Sequence, residues 1–179
     1  MRVVAGRFGG RSLVAPRGRA TRPTSDRVRE ALFSILAGAD SLESARVLDL
    51  FAGSGALAIE ALSRGALDAV LVDSSAAAIA AIRRNLSAVG ADAEVRRQPA
   101  LTYLGRARSD GRQYDLVFLD PPYRHASTLG QELSEALGPV LAPGARVVVE
   151  SDRRAPLDLE LGLLDERRYG DTLIRIYGS

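Results

Sequence analysis

Strand-like runs, most of them rich in Val and Leu, alternate along this chain with longer amphipathic stretches. The runs lie at residues 46–53, 69–73, 93–98, 114–120 and 145–151. Helix-like segments separate them at 54–65, 74–90, 100–111 and 127–141, and Gly65 and Gly90 close the first two. Apolar strands that alternate with helices predict a parallel sheet covered by helices on both faces. We therefore predict an α/β fold.

Both ends of the chain depart from this rhythm. Residues 163–178 contain two strand-like runs around "YGD", which predicts a terminal antiparallel hairpin and a mostly parallel sheet of seven strands. Near the start, 2–6 and 11–15 flank "RFGG" and predict a small β-hairpin with a glycine turn. A basic loop follows at 16–23, then a helix at 24–38. We expect an N-terminal extension over 1–45 and a sheet domain over 46–179.

Composition narrows the class of protein. The 179 residues are 46% hydrophobic and contain no Cys and one His. Disulfides, thiolate metal sites and His-rich metal sites are therefore excluded, and we expect no metal. No apolar run reaches the ~18 residues of a membrane span, and the first residues carry no apolar signal segment. We expect a cytoplasmic protein without membrane contact, and nothing in the sequence requires more than a monomer.

Charge is distributed unevenly along the chain. Residues 1–29 contain eight Arg and one acid, a net charge of +7, whereas the remaining residues contain 16 Arg and 21 acids, a net charge of −5. A basic arm on a mildly acidic body favours a polyanionic partner such as nucleic acid. The alternative is a solvated basic tail. The arginines of this arm are Arg2, Arg7, Arg11, Arg17, Arg19, Arg22, Arg27 and Arg29.

A glycine-rich turn follows the first strand. In "LDLFAGSGALA", Gly53, Gly55 and Ala58 form a G-x-G-x-x-A pattern where the strand meets the next helix. Gly53 permits a tight turn, and Gly55 is expected to let a ligand approach the backbone. Asp73 ends the second strand 20 residues after Gly53, near the spacing at which an acid binds ribose hydroxyls. The pattern favours an adenosine-containing cofactor, either NAD or S-adenosylmethionine.

Asp49 helps to choose between these cofactors. It lies inside the first strand, four residues before Gly53. A carboxylate there would repel a pyrophosphate at the helix N-terminus, but it suits the ammonium and sulfonium of S-adenosylmethionine. A buried structural acid is the alternative. Glu60, in the following helix, either helps to hold the loop or is an ordinary acid of the helix surface.

The fourth strand ends abruptly in "FLDPPYRH". Pro121 and Pro122 stiffen this turn and remove two N–H groups, so the carbonyls and the Asp120 side chain present hydrogen-bond acceptors. Such a surface fits an exocyclic NH₂ group and can hold its nitrogen toward a methyl donor. Tyr123 can stack on an unpaired base. His125 is interpreted as a surface residue rather than a catalytic one.

The motifs "VLDLFAGSG", "LVD" and "FLDPPY" resemble those of class I S-adenosylmethionine-dependent methyltransferases that modify exocyclic amines. Together with "RPTSDRVREALFSIL" and "DLFAGSGALAIEALSRGA", they resemble the RsmD family, the 16S ribosomal RNA guanine-N2 methyltransferases. The resemblance covers nearly the whole chain. It implies a Rossmann-like fold, S-adenosylmethionine as cofactor with S-adenosylhomocysteine as product, and ribosomal RNA or a small-subunit assembly particle as partner.

The resemblance also implies roles for individual residues. Catalytic residues would be Asp120, Pro121, Pro122 and Tyr123. Cofactor-binding residues would be Asp49, Phe51, Ala52, Gly53, Gly55, Asp73, Ser74, Gln98 and Asp120. RNA-binding residues would be Arg22, Arg27, Arg29, Tyr123 and Arg124, with Thr24 in the same N-terminal stretch. The charge of the arm adds Arg2, Arg7, Arg11 and Arg17 to this set. One position departs from the pattern, because Pro99 replaces an Asp or Asn that reaches the adenine amine. Gln98 or a backbone group would then make that contact.

Three other functions remain open on the sequence. A DNA amino-methyltransferase would share the Asp-Pro-Pro-Tyr turn but needs a larger region to read base edges. A protein glutamine methyltransferase would act on a similar amide, although the basic arm disfavours it. A non-catalytic RNA-binding assembly factor with a residual cofactor pocket is disfavoured by the intact turn.

Overall fold

The computed structural model describes residues 1–16, 25–39, 42–121 and 126–179, without the side chains of 126 and 127. The helices are α1 (Asp26–Gly38), α2 (Ala56–Ser63), α3 (Ala76–Val89), α4 (Ala100–Ser109) and α5 (Ala126–Leu137). The strands are β1 (Arg46–Leu50), β2 (Asp68–Asp73), β3 (Glu94–Arg97), β4 (Tyr114–Leu119), β5 (Leu141–Asp152), β6 (Gly162–Tyr169) and β7 (Thr172–Gly178).

The seven strands form one sheet in the order β3-β2-β1-β4-β5-β7-β6. Strands β1 to β5 are parallel, and β7 is antiparallel to both β5 and β6. The predicted α/β fold and terminal hairpin are confirmed. Strand order reverses between β1 and β4, whose registers pair Leu50 with Leu119. In an open α/β sheet this switch point opens a crevice at the carboxyl ends of the strands, where ligands bind.

Apolar side chains cover both faces of the sheet, as the strand composition predicts. Val47, Leu116 and Phe118 point toward the layer of α1, α2 and α3. Leu48 and Val117 point toward α4 and α5. Because β1 and β4 are buried on both faces, they form the rigid centre of the fold and position the loops that leave their carboxyl ends.

The predicted small N-terminal hairpin is present and is held by a short bridge. Arg2 and Ser12 form an antiparallel bridge, and Gly10 N–H donates to the Val3 carbonyl at 2.9 Å. Val3, Phe8 and Leu13 are buried in the same apolar cluster as α1, α2 and α3. The extension therefore shares the hydrophobic core of one sheet face, and the proposed boundary at residue 45 stays a prediction.

The end of the fifth helical segment differs from the expectation. α5 stops at Leu137, a 3₁₀ turn spans Gly138–Val140, and β5 already begins at Leu141. Pro139 removes a helical N–H donor, which ends the α-helix. The early part of β5 pairs with β4 through an irregular register between Tyr114 and Leu116.

Candidate active site

The loop after β1 is strained. Phe51 has φ +63°, although it carries a side chain, and Gly53 and Gly55 follow at φ +55° and +76°. Left-handed backbone is unfavourable for a residue with a Cβ and is found where the surroundings enforce it, often at functional sites. Here the loop is held by Ala52 N–H, which donates to the Val72 carbonyl at 3.0 Å, and by Gly55 N–H, which donates to the Ala52 carbonyl at 2.7 Å.

The two glycines serve different purposes. A Cβ on Gly55 would lie 2.7 Å from Leu71 Cδ2 and 3.4 Å from Ile82 Cγ1, so the glycine is needed for close packing of the core. A Cβ on Gly53 would meet only the Phe51 carbonyl oxygen, at 3.9 Å. The open side of the loop is therefore at Gly53, whereas the sequence had suggested ligand approach at Gly55.

Asp73 ties the loop to the end of β2. Its Oδ2 accepts a hydrogen bond from Gly53 N–H at 3.0 Å, and its Oδ1 accepts one from Ser75 N–H at 2.8 Å. The side chain is 6% exposed. Each carboxylate oxygen keeps a second lone pair that can accept from a ribose hydroxyl, and that contact stays a prediction. Ser74, the next residue, is exposed.

Asp49 is a buried carboxyl beneath the loop. Its Oδ2 accepts a hydrogen bond from Ala58 N–H at 3.2 Å. Burial raises the pKa of Asp49 to about 7, the Ala58 hydrogen bond opposes this rise, and the nearby Asp73 carboxylate adds to it. A cation beside such an acid would stabilise its charged form, which burial disfavours, and would lower its pKa again. The site therefore fits a positively charged group near Asp49.

The acid and proline of the fourth strand lie beside this loop. Leu50 and Leu119 pair in register, so Phe51 and Asp120 leave neighbouring strands at the same edge of the sheet. Asp120 is exposed and Pro121 is buried. Three residues with expected roles lie outside the described residues, namely the catalytic Pro122 and Tyr123 and the RNA-contact residue Arg124, and so does His125.

Gln98 lies at the carboxyl end of β3. Its N–H donates to the Asp73 carbonyl at 3.2 Å, and its Nε2 is buried without a hydrogen-bond partner. The side chain lines a cavity of about 40 Å³ with Glu94, Tyr103 and Arg112. Because an unpaired buried amide is unfavourable, an acceptor that enters beside Gln98 would be stabilised. The proposed adenine contact remains a prediction.

Those arginines of the basic arm that the structure describes fall into two groups. Arg2, Arg7, Arg11 and Arg27 are exposed, and Arg7 lies over the Phe8 ring at 4.5 Å. Arg29 is fully buried and donates to the Arg2 carbonyl and to Asp26. In this arrangement Arg29 offers no surface to RNA, which corrects the role inferred from its position in the sequence. Arg17, Arg19, Arg22 and Thr24 lie outside the described residues.

Glu60 is the residue whose role the sequence pattern left open. It is fully buried, and its carboxylate accepts hydrogen bonds from Val4 N–H at 2.7 Å, Ala5 N–H at 3.0 Å and Arg64 Nε at 2.8 Å. It therefore holds the N-terminal hairpin on α2 and is not an acid of the helix surface. The available signal was its position in "ALAIEALS", where it is the one charged residue of an otherwise apolar helix.

Comparison with known proteins identifies the family. The model of the family described as "Conserved hypothetical protein 95" matches residues 1–178. The chain is 37% identical to a putative rRNA methyltransferase of Bacillus subtilis, over 99% of this chain and 98% of that protein. It is 33% identical to ribosomal RNA small subunit methyltransferase D of Haemophilus influenzae, over 99% of this chain and 93% of that protein. The chain belongs to the RsmD family.

Solved structures agree with RsmD membership. A putative methyltransferase of Escherichia coli superposes with a TM-score of 0.83 and 35% identity, over 99% of this chain and 97% of that chain. More distant methyltransferases, some solved with AdoMet or S-adenosylhomocysteine, share the fold at 16–21% identity. The fold of this RsmD-family chain is thus the Rossmann-like fold of class I methyltransferases.

Two further features of the RsmD-family chain bear on its chemistry. Among the side chains that the structure describes, no three His, Cys, Asp or Glu residues come close enough together to hold a metal ion. Within the same described ranges, each helix is too short or too polar to cross a membrane. The polar groups beside the switch point are the Asp49 and Asp73 carboxylates and the open backbone at Gly53, and they fit an adenosyl cofactor that carries positive charge.

Proposed function

We propose that this chain transfers a methyl group from S-adenosylmethionine to the exocyclic N2 amine of one guanine in small-subunit ribosomal RNA. Membership of the RsmD family supports the coarser statement, methylation of ribosomal RNA with S-adenosylmethionine as methyl donor. One observation supports transfer to an amine beside the cofactor. The in-register pairing of Leu50 with Leu119 puts the exposed acid Asp120 at the same sheet edge as the glycine loop.

The cofactor would be held by residues of β1, of β2 and of the loop that joins β1 to α2. Asp49 would face its positive charge, Asp73 would accept a hydrogen bond from its ribose, and the open backbone at Gly53 would allow close approach. When bound, S-adenosylmethionine supplies an electrophilic methyl group on a positively charged sulfur. The positive charge of the bound cofactor would stabilise the charged form of Asp49, which burial disfavours.

Asp120 and the carbonyls near it would bind the amine of the substrate base. The lone pair of a guanine amine is delocalised into the ring, so the free amine is a weak nucleophile. By accepting an N–H hydrogen bond, Asp120 would orient the nitrogen toward the methyl group and stabilise the positive charge that develops on it. Pro121 would keep this acceptor fixed, because its ring restricts the backbone at the end of β4.

The RNA would be bound by the exposed part of the basic arm. Arg2, Arg7, Arg11 and Arg27 offer guanidinium groups that suit phosphates, and Phe8 supports Arg7 and Arg11 at 4.5 and 5.5 Å from its ring. These contacts would be sequence-independent and would position the substrate rather than select the base. In this proposal the chain acts as a monomer, and the protein would work in the cytoplasm, where it would meet its RNA substrate.

The direct test is methyl transfer by the purified chain. It would be incubated with methyl-labelled S-adenosylmethionine and either naked 16S RNA or small-subunit particles that lack the modification, and the RNA would be digested to nucleosides. We expect N2-methylguanosine at one position. A label on another nucleoside, on DNA or on protein would refute the guanine-N2 assignment. Normal cofactor binding without transfer to any acceptor would favour the assembly-factor alternative.

A further inference from the structure

Asn85 is a buried amide on α3 that no step of the proposed reaction uses. Its side chain is 1% exposed and makes three hydrogen bonds to backbone groups. Its Oδ1 accepts a hydrogen bond from Val14 N–H at 2.8 Å. Its Nδ2 donates to the Val14 carbonyl at 2.9 Å and to the Ser54 carbonyl at 2.9 Å. Both hydrogens and the oxygen of the amide are therefore engaged.

The two partners of Asn85 belong to two different parts of the proposed machinery. Val14 lies in the second run of the docked hairpin, which also contains the exposed Arg11. Ser54 lies between Gly53 and Gly55 in the loop that joins β1 to α2, residues 51–55, which we call the cofactor loop. A second contact joins the same two parts, because Ser54 Oγ donates to Met1 Sδ at 3.7 Å. Asn85 is thus a bridge between the N-terminal segment and the loop.

We infer that Asn85 is a positioning residue that couples RNA docking by the basic arm to the shape of the cofactor loop. The inference rests on the proposed function and extends it to a linkage between the two substrates. RNA bound to the arm favours the docked position of Val14, and Asn85 transmits that position to Ser54. By thermodynamic reciprocity, RNA then raises the affinity for cofactor by the same factor by which cofactor raises the affinity for RNA.

The loop is a suitable element for such a linkage. Phe51 and Gly53 hold left-handed backbone conformations that need support from outside the loop. The Ser54 carbonyl is one of the groups that receive such support, and Asn85 supplies it from a helix that packs in the core. Without Asn85 this carbonyl loses a buried donor, so the loop is free to take other shapes.

Glu60 provides the matched control. It holds the same N-terminal segment through Val4 and Ala5, but no hydrogen bond that the structure describes joins it to the loop. Glu60→Gln should therefore loosen the segment without direct effect on the loop. Asn85→Ala removes all three hydrogen bonds of the amide. Asn85→Asp is nearly isosteric, keeps the acceptor for Val14 N–H and removes both donors. It replaces the alanine variant in the experiment if that variant does not fold.

The experiment measures binding constants of the full chain by calorimetry. S-adenosylhomocysteine would be titrated with and without saturating 16S RNA transcribed in vitro, and RNA would be titrated with and without S-adenosylhomocysteine. In the wild type, each ligand should raise the affinity of the chain for the other ligand, and the two increases should be equal. In the Asn85 variants, we expect the affinity for S-adenosylhomocysteine without RNA to fall about fivefold, as expected for loss of one hydrogen bond, and the common factor to approach one.

The outcomes separate this inference from the proposed function. Asn85 variants that melt at a lower temperature, like Glu60→Gln, but keep the wild-type affinity and the wild-type coupling factor would overturn the positioning role. An absence of any RNA effect on cofactor affinity in the wild type would overturn the linkage. Failure of the wild type to methylate any RNA would refute the proposed function, and it would be seen in the transfer assay regardless of these affinities.

Discussion

Gly53 donates its backbone N–H to the Asp73 carboxylate at 3.0 Å, across 20 residues of chain. This bond joins the loop after β1 to the end of β2, next to the switch point of the sheet. Ser75 N–H donates to the other oxygen of the same carboxylate at 2.8 Å. Asp73 therefore shapes the cofactor loop, in addition to its predicted contact with ribose.

Asp73→Asn should weaken cofactor binding. One oxygen becomes an NH₂ group, which faces a backbone N–H in either orientation of the amide and loses one of the two hydrogen bonds. We expect the affinity for S-adenosylhomocysteine to fall about tenfold, since hydrogen bonds to a charged acceptor contribute about 1.5–3 kcal/mol. Calorimetry would measure the change. Asp92→Asn, at an exposed acid before β3, is the control and should bind normally.

Asp49 should make both stability and cofactor binding depend on pH. Burial raises its pKa to about 7, from an ordinary value of 3.8, so the unliganded folded chain binds one more proton than the unfolded chain between those two values. Its contribution to the free energy of unfolding is therefore fully present below about pH 4 and is lost as pH rises through about 7. The amide of the Asp49→Asn variant does not titrate, so comparison of its urea unfolding curves with those of the wild type from pH 5 to 8 isolates this contribution.

Affinity for the cationic methyl donor should follow the opposite trend. Ionised Asp49 attracts S-adenosylmethionine, so wild-type affinity should increase as pH rises through about 7. Asp49→Asn should bind more weakly and without this increase. An identical pH profile in the variant would show that Asp49 does not face the positive charge.

Gly55→Ala and Gly53→Ala should have different consequences. Both positions have positive φ, so an alanine at either one is strained by about 1–2 kcal/mol. At position 55 the new Cβ also lies 2.7 Å from Leu71 Cδ2 in the core, and overpacking adds about 1–3 kcal/mol. Thermal unfolding should therefore show the larger loss for Gly55→Ala. Gly53→Ala should lower cofactor affinity more than stability, because its Cβ faces the open side of the loop.

Substitution of Arg29 should affect mainly stability, whereas substitution of Arg7 should affect mainly RNA binding. Burial lowers the pKa of Arg29, while Asp26, Glu60 and Glu150 oppose that shift. Arg29→Ala leaves a cavity under α1 and should lower the free energy of unfolding by about 3 kcal/mol. Arg7→Ala should leave stability nearly unchanged and reduce the slope of log affinity for RNA against log salt concentration by about 1. A reduced slope for Arg29→Ala at a temperature well below its melting point would contradict this division.

Asp120→Ala should abolish methyl transfer but leave cofactor binding largely intact. Its proposed role is to orient the amine of the base, which affects the chemical step more than the affinity for S-adenosylmethionine. Single-turnover transfer and calorimetry would be compared with Asp110→Ala, which removes an exposed acid after α4. A loss of cofactor affinity as large as the loss of turnover would show that Asp120 binds cofactor rather than the base.

Most of the elements were predictable from the sequence, because the signals for them are local. Apolar runs such as "YDLVFLD" become buried strands, and Gly90 closes α3 at φ +60°, as its position predicts. The end of α5 was placed too late because "GPV" forms a separate 3₁₀ turn. The strand order was not readable from local signals. It follows from how the strands pair, and that pairing joins Leu50 to Leu119.

The sequence by itself predicted the glycine loop, the Asp-Pro-Pro turn and the concentration of arginine near the start of the chain, because each depends only on residues that are adjacent in sequence. The tertiary structure decided which polar groups are buried and what they bind. Glu60 contacts Val4, 56 residues away, and Asn85 contacts Val14, 71 residues away. Such pairs form only after the sheet and its helices have packed, because burial removes water and leaves the backbone groups of the N-terminal segment as their partners. The same packing buries Arg29 and leaves Arg7 and Arg27 at the surface.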